Sequence, residues 1–201
     1  MKSVLLASLV SVFLIGCSQD NQNTVEADIQ PSQPFDKQQE LASAKQITKQ
    51  FAGALKTELM AAMKAGGPVA AINVCNEKAI PITEQLSKQH AVEISRISLK
   101  NRNPNNQPNA WQTTVLEDFD KRAAQGEDIK TMAFTEVKQE DGKQHLYFVK
   151  ALPTAGLCLT CHGTELAPEV KSTLAELYPE DKAVGYSVNQ VRGEIVIRKA
   201  L

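Results

Sequence analysis

The sequence predicts an α+β fold, and three features point that way. The first half carries apolar residues at intervals of three and four, the mark of amphipathic helices. Beyond residue 130 the period shortens to two on either side of Asp141-Gly142, as in an antiparallel hairpin. Helical patterns that precede a run of strands, rather than alternating with them, argue for helices set apart from an antiparallel sheet.

Asp36 and Gln39 make a capping-box-like start to a helix whose apolar positions are Leu41, Ala44, Ile47, Phe51, Leu55 and Leu59. Gly66-Gly67 stops it. Pro68 suits the first turn of a second helix carrying Val69, Ile72, Cys75 and Ala79, until Pro81 kinks or restarts it. Cys75 is thereby placed on an apolar face, toward the core or a cofactor rather than solvent. Val92, Ile94, Ile97 and Leu99 read as a strand with a phase slip near Arg96, and residues 102–109, rich in Asn and Pro, as a loop. Trp111, Val115, Phe119 and Ala123 define a third helix, capped by Asn109 and closed by Gly126. Residues 132–138 and 145–151 form the hairpin, with a loop longer than two residues. Residues 183–190 and 193–198 make a final strand pair.

Between the hairpin and that pair stands Cys158-Leu159-Thr160-Cys161-His162, the C-x-x-C-H pattern of covalent haem c attachment. Two thiols at this spacing on one helical turn form thioethers to the haem vinyl groups, and the adjacent imidazole becomes an axial iron ligand. The same residues have other readings. A thioredoxin-like C-x-x-C heads a helix after a strand, whereas Pro153, Gly156 and Gly163 frame this one as a loop. A zinc site is harder to set aside, because Cys75 supplies a fourth ligand for Cys₃His.

Compartment bears on the choice. Met1-Lys2 and the apolar run 4–15 form a signal peptide over residues 1–16, too short to span a bilayer. It ends in Leu14-Ile15-Gly16-Cys17, which resembles the bacterial lipoprotein box, so Cys17 is the expected lipidation site. Ser18 after that Cys points to the outer membrane. Residues 17–35 are then the lipidated N-terminus and a polar tether, with a root-mean-square span of about 20–25 Å, and residues 36–201 the folded domain. Haem c is attached on the same, periplasmic side of the cytoplasmic membrane, so the two motifs agree.

Of four cysteines, Cys17 goes to lipid and Cys158 and Cys161 to haem, which leaves Cys75 with no disulfide partner. It is either a buried small hydrophobe or the second axial ligand of the iron. His90 and His145 are the other imidazoles, and Met60, Met63 and Met132 the thioethers, that compete with it. Arg96, Arg102 and Arg192 are candidates to pair with haem propionates, since guanidinium meets carboxylate bidentately. Trp111, Tyr147, Phe148 and Tyr186 either wall the haem or pack the core. The balance of 22 basic and 23 acidic residues leaves no footprint for nucleic acid.

Four separated motifs occur in one order: Ala71-Ile72-Asn73-Val74-Cys75; Arg102-Asn103-Pro104-Asn105-Asn106 before Trp111; Leu157-Cys158 through His162-Gly163; and Tyr178 through Tyr186 running into Arg192-Gly193-Glu194-Ile195. Together they resemble the family of small haem c proteins with a PAS-like fold, first defined as a domain of unknown function and found as exported proteins and as sensor domains. The resemblance implies a PAS-like antiparallel sheet with N-terminal helices and a haem c loop. It also implies one covalent haem ligated by His162 and Cys75. Where the family usually has Gly shortly before its Arg-Gly, this chain has Asn189-Gln190-Val191.

A thiolate ligand favours ferric iron and lowers the potential relative to His/Met ligation. Its weakening on reduction opens a position for CO or NO. The expected role is thus a redox- or gas-responsive sensor module working through a redox or signalling protein partner; the other reading is a periplasmic one-electron carrier. An enzyme of peroxidase type is not expected, because both axial positions are filled.

Overall fold

The computed structural model describes residues 36–201. The expected signal peptide, Cys17 and the tether up to residue 35 lie outside them. The first element, α1 (Lys37–His90), begins where Asp36 Oδ1 accepts the backbone N–H of Gln38 at 2.9 Å and of Gln39 at 3.2 Å. It is broken at Gly66 and Gly67, and Gly67 has φ +70° and ψ −160°, which an L side chain rarely adopts. Pro68 opens the second half. Pro81 was expected to kink or restart the helix, yet the run continues through it to His90. Ala91, in the left-handed region, closes it.

Four strands form one antiparallel sheet: β1 (Glu93–Ile97), β2 (Ala133–Glu140), β3 (Lys143–Pro153) and β4 (Val191–Ala200). Their spatial order is β1-β4-β3-β2. The two faces have separate cores. On one, Ala44, Ile47 and Phe51 of α1 pack on Ile94, Phe148, Ile195 and Ile197. On the other, α2 (Ala110–Ala124) lays Val115, Leu116 and Phe119 on Val149, Val196 and Met132. Phe51, Phe119 and Phe148 are wholly buried, and each such side chain contributes about 1.5–3 kcal/mol. α2 has the full capping box, Asn109 with Gln112, that holds two otherwise orphaned N–H groups. The architecture is α+β, a PAS-like antiparallel sheet with helices N-terminal to it.

Two expectations about the strands are corrected. The hairpin loop is the two residues Asp141 (φ 50°) and Gly142 (φ 76°), a type I′ turn, because Glu140 pairs with Lys143. The strands simply outrun their apolar alternation into polar Gln139, Glu140, Lys143 and Gln144. The second correction concerns residues 183–190, which form no strand. Gly185 and Tyr186 N–H groups bond instead to the carbonyls of Gly163 and His162, at 3.0 and 2.9 Å. That alternating stretch covers the attachment loop rather than joining the sheet.

The connection from β3 to β4 therefore carries the whole C-x-x-C-H region. It leaves and returns at one point, where Thr154 N–H bonds Gln190 O at 2.8 Å and Asn189 N–H bonds Thr154 O at 3.0 Å. Asn189 has φ +64°. Asn tolerates the left-handed conformation better than most residues, so this chain turns there without the family's usual Gly. Within the insert lie a 3₁₀ turn (Gly156–Cys158), the single-turn α3 (Leu159–His162) and α4 (Pro168–Leu177). No sequence expectation covered α4. Its Val170 and Leu174 pack on Ile72 of α1 and fix the half-helix that bears Cys75. No helix among the described residues is long and apolar enough to cross a membrane.

Candidate haem site

Between the second half of α1, the attachment loop and the β1–α2 connection lies a cleft with about 1040 Å³ of empty space, part of it open to solvent. Cys75, Cys158, Cys161 and His162 all line it, and so do Arg96, Arg102 and Arg192. Leu59, Met63, Ile72 and Leu157 supply apolar wall. The cleft thus brings together the two expected ligands, the two attachment cysteines and the three candidate arginines.

α3 positions the attachment residues. One helical turn carries Cys161 and His162, with Cys158 just before it, and both cysteines are half-buried free thiols. Gly163 ends the turn; a Cβ there would stand 2.6 Å from Leu159 O, so no other residue fits without movement. His162 Nδ1 lies 2.7 Å from Ala183 O, an N–H donor to a carbonyl. The remaining lone pair is then on Nε2, the tautomer a metal-ligating imidazole needs. Burial, with the charges of Arg192 and Arg102 behind it, pushes the His162 pKa down to about 2 and keeps the ring neutral. Tyr186 supports the ring edge-on at 6.3 Å.

Cys75 approaches from α1. Much of its surface is accessible because the cleft is open beside it, yet burial by surrounding protein still raises its thiol pKa, partly offset by Arg96 and Arg102. A bound metal would deprotonate it outright. Of the competing donors, Met63 alone lines the cleft. Met132 is buried in the core under α2, and His145 Nε2 accepts from Arg198 Nη2 at 3.0 Å. Trp111 packs on Tyr147 and Phe134, away from the cleft lining, and Phe148 lies in the core against α1.

The arginines divide by occupation. Arg102 Nε bonds Asp181 Oδ2 at 3.0 Å, while Nη2 donates to Cys161 O at 2.5 Å and Ala183 O at 3.3 Å. It pins the attachment loop to the covering segment. Arg192 Nη1 donates to Ser98 Oγ at 3.0 Å and lies over the Tyr186 ring. Arg96 has no ion pair or side-chain hydrogen bond among the described residues, and burial lowers its pKa. It is the guanidinium with most capacity left for a carboxylate in the cleft. Sequence reasoning gave no role to Asp181 or to the Ala183 carbonyl, although both lie inside one of the motifs.

Arg102→Met is expected to cost about 3–5 kcal/mol, because it removes the ion-pair partner of Asp181, whose side chain is only 10% exposed and keeps just the Ala183 N–H on its other oxygen. Urea unfolding followed by circular dichroism measures it; a loss below about 1 kcal/mol would show that the pair does not hold the loop.

The donor set fits a planar macrocycle better than a bare ion. Among the described residues no three His, Cys, Asp or Glu side chains converge closely enough to hold a metal ion, so Cys75, Cys158, Cys161 and His162 do not form a zinc site as they stand. They line a wide cleft instead, with two thiols on one edge, an imidazole lone pair available, and guanidinium beside them.

A family model of Tll0287-like proteins matches residues 18–199. The crystal structure of the cyanobacterial haem protein Tll0287 has the same fold, with a TM-score of 0.60 and 21% sequence identity over 84% of this chain and 97% of that one. No curated protein matches the chain. With the four motifs, the sheet and the cleft in place, the chain belongs to the Tll0287-like family.

Proposed function

We propose that the chain binds one haem c, attached through Cys158 and Cys161 and ligated by His162 and Cys75, and acts as an exported redox- or gas-responsive sensor module. The observation that carries this reading is the single cleft shared by the C-x-x-C-H turn and Cys75, with His162 held as the Nδ1–H tautomer by Ala183. The match to the Tll0287-like family and the description of Tll0287 as a haem protein support the cofactor. A haem placed there supplies one-electron chemistry at iron. With haem bound, Cys75 as thiolate would favour the ferric state, and its weaker hold on ferrous iron would be the basis of a response to CO or NO.

The chain's residues make the switch readable outside. Cys75 sits one helical turn beyond Ile72, which is packed on α4, and α4 leads into the covering segment that holds His162. A partner protein that reads this surface completes the signal; no enzymatic turnover is proposed. The one-electron-carrier reading rests on the exposed Leu157 beside Cys158, where a haem attached to that thiol would be near solvent. Ferrous spectra of purified protein separate the two: a six-coordinate ferrous centre that refuses CO supports the carrier, and CO binding supports the sensor.

The proposed location is the periplasm, anchored by lipid on Cys17 to the outer membrane. Cys17→Ser is expected to abolish lipid labelling and move the protein to the soluble fraction, since a covalent lipid is the only anchor proposed. Retention in membranes at high salt would refute it.

A further inference from the structure

Glu194, on the central strand β4, is 0% exposed, and neither of its carboxyl oxygens has a hydrogen-bond partner. An unpaired buried carboxylate is costly, and natural structures rarely keep one without use. Its cross-strand neighbours are apolar, Ile97 on β1 and Ala151 on β3. The side chain lines a second cavity, about 550 Å³ of empty space with part of it open to solvent, whose wall includes His162, Arg96, Arg102, Arg192 and Asn101. His162 and the three arginines also line the haem cleft, so this cavity lies directly behind it.

We propose that Glu194 is the proton-loading site of the centre, binding one proton from solvent when the iron gains one electron from an external donor. The inference rests on the haem c reading. Charge balance gives its direction: reduction removes one positive charge near a poorly solvated carboxyl, and a proton on Glu194 restores it. The electron from the donor goes to iron and the proton from solvent to a Glu194 carboxylate oxygen, whether or not Cys75 stays on the iron. The charged groups that share the cavity wall with the carboxyl are Arg96 from β1, Arg102 from the following loop with Asp181 paired to it, and Arg192 from β4; the neutral His162 ring from α3 lines it too. None of the arginines bonds it. On β3 the nearest charge, Lys150, is tied to the carbonyls of Met132 and Ile129. Burial alone raises the Glu194 pKa, to about 8, so its ionisation falls within an accessible pH range.

The test is a spectroelectrochemical titration of the intact holoprotein from pH 6 to 10. The wild-type midpoint potential is expected to be flat at the acid end and then to fall with a tenfold equilibrium change per pH unit, about 59 mV for one electron. Glu194→Gln should remove the slope. A reduced-minus-oxidised infrared spectrum in the sloping range should show a new protonated-carboxyl band in wild type, which also decides the matter if the variant takes up no haem. A flat wild-type potential, a slope that survives in Glu194→Gln, or absence of the band overturns the proposal. Protein isolated without any haem absorption would instead sink the haem c reading.

Discussion

Cys158→Ala together with Cys161→Ala is expected to yield protein with no haem-linked staining on a denaturing gel, a complete loss rather than a graded one. Covalent attachment needs two thiols on one helical turn beside the ligating imidazole, and the chain offers that arrangement once, in α3 and the residue before it. Cys75 cannot substitute, because it sits on α1 in a separate wall of the cleft. Metal analysis of the wild type should give one iron per chain. One zinc and no iron would mean that the four side chains close on a bare ion, and the haem reading would fall.

Cys75→Ser is expected to abolish the low-spin ferric EPR pattern of thiolate ligation, raise the midpoint potential, and let ferric iron take up water or added imidazole. The anionic donor is what stabilises the ferric state, so its loss shifts the couple upward. The fold should survive. Cys75 is largely accessible, and its half-helix is held by Ile72 against Val170 and Leu174, so Cys75→Ala should cost about 1 kcal/mol or less in stability. An unchanged ferric spectrum and potential in both variants would transfer the role to Met63, the other sulfur donor in the cleft outside the attachment motif, and would remove the basis for sensing.

Local chemistry made much of this legible in the sequence. The Asn109 cap, the Gly66-Gly67 break and the Asp141-Gly142 turn are decided by the backbone preferences of those residues, and each stands where its pattern placed it. Cys75 was placed on a useful face by helical spacing alone. Long-range contacts were not legible. The alternation of Ala183, Val184, Tyr186 and Val188 mimics a strand, but its backbone groups bond to His162 and Gly163, across the insert. Helix α4 did leave a trace, Pro168 at its first position and Val170, Leu174 and Leu177 at helical spacing, masked by its nearness to the attachment motif. Glu194 lies inside one of the motifs, yet nothing in the sequence marks it as buried, since burial of a lone carboxylate depends on the register of three strands.

The position of β4 orders events in time. It is the strand furthest along the chain, and it alone joins β1 to the rest of the sheet, pairing Glu93 with Arg198 across about a hundred residues. Until it docks, the sheet is only the β2–β3 hairpin, which its two-residue turn closes quickly. Pairings so distant in sequence form slowly, because the loop-closure entropy is lost before any contact is gained. The C-x-x-C-H segment lies inside the loop that β4 closes. Until β4 docks, no sheet pairing holds its C-terminal side, so under the proposed haem c reading attachment would meet a flexible peptide rather than a finished cleft.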